Sequence, residues 1–323
     1  MKRRDFLIST GAVAMAAALP HMAAAQDIDR LQLFVPANPG GGWDQTARVM
    51  DAVMRQEELI GSSMITNAGG AGGTVGLPQF IGQYDGDGAA LMTGGMVMIG
   101  AIITNNSPVD LTMTTPIARL TGEYITIVVP AASDIQNLGD LVEKLKADVG
   151  SVSWAGGGAG GSDHILAGLL AQEVGVDPVA LSWVAFAGGG EALAALLGNQ
   201  VTCGVSGWGE FAEQVSAGAL RAIAISAPER VPGIDVPTII EQGHDVELLN
   251  WRGVFGAPNI SDEDRAALIE LVTTLDASEA WQTALSERSW DRLFLAGDDF
   301  EVYLAEDINR IKETLAGLGL AAG

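Results

Sequence analysis

Leu31-Gln32-Leu33-Phe34-Val35-Pro36-Ala37-Asn38-Pro39-Gly40-Gly41-Gly42-Trp43-Asp44 carries the chain from a short apolar run through a glycine triplet into a segment with helical spacing. The same unit returns at Ser63–Asn67 with Gly69-Gly70-Ala71-Gly72-Gly73, at Ser151–Ala155 with Gly156–Gly161, and at Leu181–Ala187 with Gly188-Gly189-Gly190. Glycine lets backbone N–H groups turn toward a ligand at a helix start, where unpaired amides and the helix dipole both favour an anion. Several such loops facing one another would hold a multiply charged small molecule without many lysines or arginines.

Outward from that stretch, strand and helix alternate at short pitch. Leu31–Val35 reads as a strand, and Trp43–Gln56 as a helix with Ala47, Met50, Val53 and Met54 at helical spacing. Ser63–Asn67, Ala89–Thr93, Ser151–Ala155, Leu181–Phe186, Leu220–Ile225 and Leu248–Phe255 read as further apolar strands, and Val201–Val205 leads into Gly207-Trp208-Gly209. Arg119–Pro130 contains Ile125-Thr126-Ile127-Val128-Val129, a β-branched run suited to a strand that crosses between domains. Helices are expected at Thr74–Gln83, from Met96 toward Asn105, at Leu138–Asp148, from Ser162, at Glu191–Leu197, and in three segments between Ser261 and Leu318. The alternation predicts an α/β protein built on doubly wound, mostly parallel sheets. With crossings near Tyr124 and Ala227, the expected lobes are 26–123 plus 228–323 and 124–227.

The chain has 323 residues, 48% hydrophobic and 18% charged, enough apolar sequence for a large core and two domains. Met1-Lys2-Arg3-Arg4-Asp5 precedes an Ala-rich apolar stretch and Ala23-Ala24-Ala25, which reads as a twin-arginine export signal over 1–25 and places the mature protein in the periplasm. The whole chain carries −23, and loss of a leader of net +2 leaves −25. That field repels nucleic-acid phosphates and anionic membrane surfaces, so local amide dipoles must outweigh it if the ligand is an anion. Cys203 is the single cysteine, so no intrachain disulfide can form, and its apolar run reads as buried.

Several chemistries are not supported. The loop Asn67–Gly76 lacks the Gly-Lys-Ser/Thr ending of a nucleotide P-loop, so phosphate hydrolysis is unsupported. Gly156, Gly158 and Gly161 match G-x-G-x-x-G, but the next strand ends Val184-Ala185-Phe186-Ala187 without the acidic residue that would hold a ribose. Ser162-Asp163-His164 are triad residue types placed as neighbours, whereas catalysis needs them to converge in space, so Ser162 reads as a helix cap or ligand donor and His164 as a surface or cap residue. His164 and His244 are the only histidines after the leader, with no Cys/His cluster at metal-ligand spacing, and no cofactor is expected. Asp44, in the first turn after the triplet, can cap its helix through a side-chain oxygen.

At Ala37 to Arg48 the chain resembles the extracytoplasmic receptors of tripartite tricarboxylate transporters, particularly the tricarboxylate-type branch. The resemblance continues through Asn67-x-x-Gly70-x-Gly72-Gly73, Gly160-Gly161-Ser162-x-His164, Phe186-x-Gly188-Gly189-Gly190-Glu191 and Trp251-Arg252-Gly253-Val254-Phe255-Gly256-Ala257-Pro258. It implies a two-lobed periplasmic binding protein fold of type II, each lobe a doubly wound sheet with a hinge between, closing on a small carboxylate. It also implies a non-enzymatic monomer that works with large and small membrane subunits. Gly41, Gly42, Trp43, Asp44, Ala71, Gly72 and Gly73 would anchor the invariant end of the ligand, and Gly94, Gly161, Ser162, Gly188, Gly189 and Ser206 would face the variable end. Asn38, Asn67, Thr93 and Ala159 are further expected ligand-binding residues. Many relatives carry a lysine and an aspartate where this chain has Ala187 and Thr202, so amides or hydroxyls must meet that ligand group here. The competing readings are a secreted serine hydrolase using Ser162 and His164, and a solute sensor that feeds a signalling kinase.

Overall fold

The computed structural model describes residues 28–186 and 189–321; the segment 1–25 read above as an export signal lies outside them. In chain order the elements are β1 (Arg30–Val35), α1 (Gly42–Gln56), β2 (Ser62–Asn67), α2 (Gly76–Gln83), β3 (Ala90–Gly95), α3 (Met96–Thr104), β4 (Thr115–Pro130), α4 (Leu138–Ala147), β5 (Ser153–Gly156) and α5 (Ser162–Glu173). There follow β6 (Ser182–Ala185), α6 (Gly189–Leu197), β7 (Cys203–Gly207), α7 (Trp208–Ser216), β8 (Leu220–Ile225), β9 (Leu249–Gly256), α8 (Asp262–Ala277), α9 (Glu279–Glu287), β10 (Asp291–Ala296) and α10 (Asp298–Gly317).

Each lobe has a parallel three-stranded centre, β2-β1-β3 in one and β6-β5-β7 in the other, as strand–helix–strand units demand. Antiparallel strands complete both: β9 pairs with β3 and β4, β10 and β8 pair with β4, and β7 pairs with β4. The sheets are therefore mixed, because the chain must run out of one lobe and back, and the outgoing strand lies beside the returning one.

One long strand belongs to both sheets. β4 pairs with β9 as far as Tyr124↔Leu249, and from Ile125↔Gly207 onward with β7 and β8. Ser226 ties this crossing to the return. Its N–H donates to the Ile125 carbonyl at 2.9 Å, its hydroxyl donates to the Leu248 carbonyl at 2.6 Å, and the Ile125 N–H donates to its Oγ at 2.9 Å. Full burial of Ser226 leaves these as the bonds that satisfy the backbone where the sheets meet.

The apolar spacing of α1 seats Ala47, Met50, Val53 and Met54 in the core. Phe34, Phe80 and Tyr84 pack ring to ring beneath β1 with centroids 5.4–5.9 Å apart. Cys203 is buried, and burial pushes its thiol pKa up.

Two elements differ from the sequence expectation. Trp208–Ser216 is a helix that starts directly after β7, and Asp291–Ala296 is a strand set within the helical tail. β10 owes its state to distant pairing, Asp291↔Gly122 and Ala296↔Ala118, which local periodicity does not report.

Candidate ligand-binding cleft

Three loops converge on a cavity of about 100 Å³ between the lobes. From one lobe come Gly41, Gly42 and Trp43 at the start of α1, and Gly70, Gly72 and Gly73 around the short 3-10 turn Ala71–Gly73. From the other come Gly156, Gly157 and Gly158, which precede α5, with Ser206 at the end of β7 and Glu210 in the first turn of α7. Asn250 and Arg252 on the returning strand β9 close the back.

The first loop is held open-handed toward the cavity. α1 starts without a side-chain cap at Gly41, so the amides of its first turn are not consumed by the helix's own side chains. Asp44 does not cap the helix, contrary to the sequence expectation. Its carboxylate instead accepts from the Gly40 N–H at 2.9 Å, from Arg48 Nε at 2.8 Å and from Asn67 Nδ2 at 2.9 Å. Asn67 Nδ2 donates at 3.0 Å to the Ala37 carbonyl as well, so the ends of β1 and β2 and the triplet form one braced unit. Burial alone would raise the Asp44 pKa, but the bonds from Arg48, Gly40 and Asn67 outweigh it and hold the carboxyl below its ordinary value. Asp44→Ala should lower the unfolding free energy by about 2 kcal/mol, since hydrogen bonds to a charged group contribute about 1.5–3 kcal/mol each. Ligand affinity should fall with it. Urea unfolding and calorimetry read the two effects, and unchanged affinity would show that the brace has no part in binding.

The second loop needs glycine. Gly70, Gly72 and Gly73 have φ of 136°, 64° and 94°, a region that side-chain-bearing residues rarely adopt. At Gly42 the reason is space, since a Cβ there would run into the Arg252 guanidinium.

The Ser-Asp-His run clasps the third loop. Asp163 Oδ2 accepts from the Gly157 N–H at 2.9 Å, Ser162 Oγ donates to Asp163 Oδ1 at 3.1 Å, and His164 Nδ1 accepts from the Gly160 N–H at 3.1 Å. His164 is buried, not a surface residue, and its ring stacks on Trp183 with centroids 4.5 Å apart. Burial lowers its pKa to about 4, so it is a neutral acceptor at pH 7. The Ser162 hydroxyl is thus engaged with the carboxylate, and the imidazole nitrogen Nδ1 with the loop, which gives no serine–histidine pair for nucleophile activation.

Of the remaining residues singled out from the sequence, Asn38 reaches across the cleft mouth and donates from Nδ2 to Glu191 Oε1 of α6 at 3.1 Å. Ala71 lies in the 3-10 turn, and its carbonyl accepts from Asn105 Nδ2 at 3.2 Å. Thr93 is buried at the end of β3, its hydroxyl without a partner among the described residues, and Gly94 packs against the Phe255 ring. Ala159 and Gly161 shape the loop behind the wall, with the Gly161 N–H donating to the Gly158 carbonyl at 3.0 Å. Gly189 begins α6, and Gly188 lies outside the described residues. Thr202 is committed to the β5–β7 edge, where its N–H donates to Ser153 Oγ at 2.9 Å.

Sequence reasoning did not place Asp163, Glu210, Asn250 or Arg252 in the site. Arg252 forms a buried ion pair with Glu123 of β4 and lies 5.0 Å from the Trp290 ring centroid. Its Nη1 and the Asn250 Oδ1 have no hydrogen-bond partner among the described residues, leaving a donor and an acceptor at the back of the cavity. Burial raises Asp163 to about 6 and, with the Asp163 charge, Glu210 to about 7.

Two sheets sharing a crossing strand, with a small cavity between them, form the two-lobed fold of the periplasmic binding proteins. The profile described as "Tripartite tricarboxylate transporter family receptor" matches residues 46–320, and the chain belongs to that family. It is 25% identical over 299 residues to Protein BugT of Bordetella pertussis, covering 89% of this chain and 90% of that one. It is 27% identical over 259 residues to the "UPF0065 protein in tcbD-tcbE intergenic region" of a Pseudomonas species, covering 76% and 74%. Among solved structures, the periplasmic binding protein BugD superposes with a TM-score of 0.81 at 22% identity over 90% of this chain and 98% of that chain. MatC from Rhodopseudomonas palustris with bound malate gives 0.77 at 24% identity over 88% and 99%. A further R. palustris protein, with adipate, gives 0.81 at 20% identity over 90% and 98%. The family match makes this chain a transporter-family receptor, and no described helix is long and apolar enough to cross a membrane.

Proposed function

We propose that this protein is the solute-binding subunit of a tripartite transporter, exported by the twin-arginine route, and that it binds a small di- or tricarboxylate by closing its lobes, 26–123 with 228–323 and 124–227, upon it. The observation that carries this reading is the convergence of uncapped amides from the α1 start and of two further glycine loops on one cavity of about 100 Å³. Backbone donors in a site shut off from water act in a low local dielectric and hold an anion more strongly than they would in solution. This offsets the chain's negative field. The cavity is far too small for a dinucleotide, and malate and adipate in two structural relatives are acids of the proposed class. Closure stabilised by the ligand would then present the state that the membrane subunits recognise.

A thermal-shift screen of organic acids, including succinate, malate, adipate and citrate, tests the ligand class. A saturating ligand at a hundred times its Kd adds about 2.7 kcal/mol to stability. Stabilisation by one or more of the acids supports the reading, and stabilisation only by sugars or cations contradicts it. Replacing Arg3 and Arg4 together with lysine should leave the precursor in the cytoplasm, as fractionation would show; undiminished export would mean a different route.

A further inference from the structure

The cavity assigned to an anion already contains carboxylates. Glu210 lines it together with Ser206 and, across the cleft, Gly42, and the Ser206 hydroxyl and the Gly42 backbone N–H both favour its ionised form. That amide opens α1 and is among the donors that the carboxylate reading gives to the ligand. Asp163 of α5 stands on the same wall, fixed there by the Gly157 N–H and the Ser162 hydroxyl. Arg252 is the one cation bordering the cavity among the described residues, and it is paired with Glu123 of β4. Around them, Asp44 of α1 is bound to Arg48, Glu191 of α6 to Asn38, and His164 of α5 is neutral with Nδ1 accepting from Gly160. A ligand carboxylate arriving at Gly42 therefore meets one protein carboxylate beside that amide and a second close by, while the bordering cation, Arg252, has its charge paired with Glu123 and only Nη1 left to donate.

We propose that Glu210 is a specificity-determining residue that makes carboxylate binding proton-coupled: ionised, it competes for the Gly42 amide, and on ligand binding it takes up one proton from solvent and donates it in a hydrogen bond to the ligand's carboxylate. The inference rests on the carboxylate reading of the site. The free protein is poised for it, because burial and the Asp163 charge already raise Glu210 to about 7. A bound anion that takes the Gly42 amide raises it further. The sign follows. With the bound-state value above the free-state value, affinity is full below about pH 7 and falls as pH rises toward the bound-state value, by at most about tenfold per pH unit. An ammonium-bearing ligand would show the reverse, since it would pair with ionised Glu210.

Calorimetry with succinate, malate, adipate and citrate between pH 6.5 and 8.5, in buffers of differing ionisation enthalpy, tests this. The wild type should take up close to one proton at pH 8 and bind about tenfold more weakly at pH 8.5 than at pH 7. Glu210→Gln, which keeps a donor and cannot ionise, should bind at pH 8.5 as tightly as the wild type at pH 6.5, with no proton uptake assignable to this site. Absence of proton uptake by the wild type, or uptake that persists in Glu210→Gln, overturns the inference while leaving the carboxylate reading intact. Preference for aspartate over succinate that is lost in Glu210→Gln also overturns it. If none of the four acids binds at any pH, the carboxylate reading itself fails. The wild-type proton count stands as a test even if the variant does not fold.

Discussion

Gly158→Val is expected to weaken ligand binding by about a hundredfold, ~2.8 kcal/mol, while leaving the unliganded fold intact. A Cβ at Gly158 would lie 2.8 Å from the Gly72 nitrogen and 2.9 Å from its Cα, and these are backbone atoms of the opposite lobe that cannot rotate aside. Gly158 is not among the positive-φ positions, so its backbone does not require glycine, and the three atoms nearest to such a Cβ all belong to the opposite lobe. The cost falls on the closed state. Because Gly158 also borders the cavity, a second variant separates closure from filling. Gly100, on α3 and away from the cavity lining, faces the Gly160 carbonyl of the other lobe, which a Cβ would overlap. Gly100→Ala should stabilise α3 by about 0.5–1 kcal/mol on helix propensity, yet lower affinity. Calorimetry and small-angle scattering read both variants; wild-type affinity in both would mean that ligand is held without closure.

Arg252→Met should destabilise the protein by about 3–5 kcal/mol, because removing one member of a buried pair leaves the other charge uncompensated. Arg252 and Glu123 are 3% and 2% exposed and stand on β9, the first strand of the returning chain, and β4, the strand shared by both sheets. Burial pulls the Arg252 pKa down from its ordinary value, which marks how much the guanidinium depends on its partner. Glu123→Leu combined with Arg252→Met should recover most of the loss, since an apolar pair needs no desolvation of charge. Urea unfolding of the single and double variants measures the coupling. A loss below about 1 kcal/mol for Arg252→Met, the range of an exposed pair, would show that water reaches the pair.

The strand–glycine–helix units were legible because each carries its own local signal: an apolar run, glycines where φ is positive, then helical spacing. The same holds for β4, whose β-branched run Ile125–Val129 forms the part that enters the second sheet. What local patterns cannot carry was lost. β10 is held by pairing with residues far back in the chain, and α7 hides because Gly207 and Gly209 flank Trp208 as they would in a turn. With α7 unread, Glu210 had no direction, and the carboxylates of the cleft went unseen. Arg252 did leave a signal. An arginine within the apolar run Leu248–Phe255 requires a buried partner, since such a charge is seldom taken out of water alone. Ser162-Asp163-His164 was conspicuous as chemistry but serves as architecture, a clasp on the Gly157–Gly161 loop that borders the cavity.

The most direct measurement is a crystal structure with the tightest-binding acid from the screen. The account places a ligand carboxylate within hydrogen-bond distance of backbone N–H groups at the start of α1 and in the Gly70–Gly73 turn, with the Gly156–Gly158 loop closed over its other end. A ligand gripped chiefly by arginine or lysine side chains, or seated outside the space between the sheets, would contradict it.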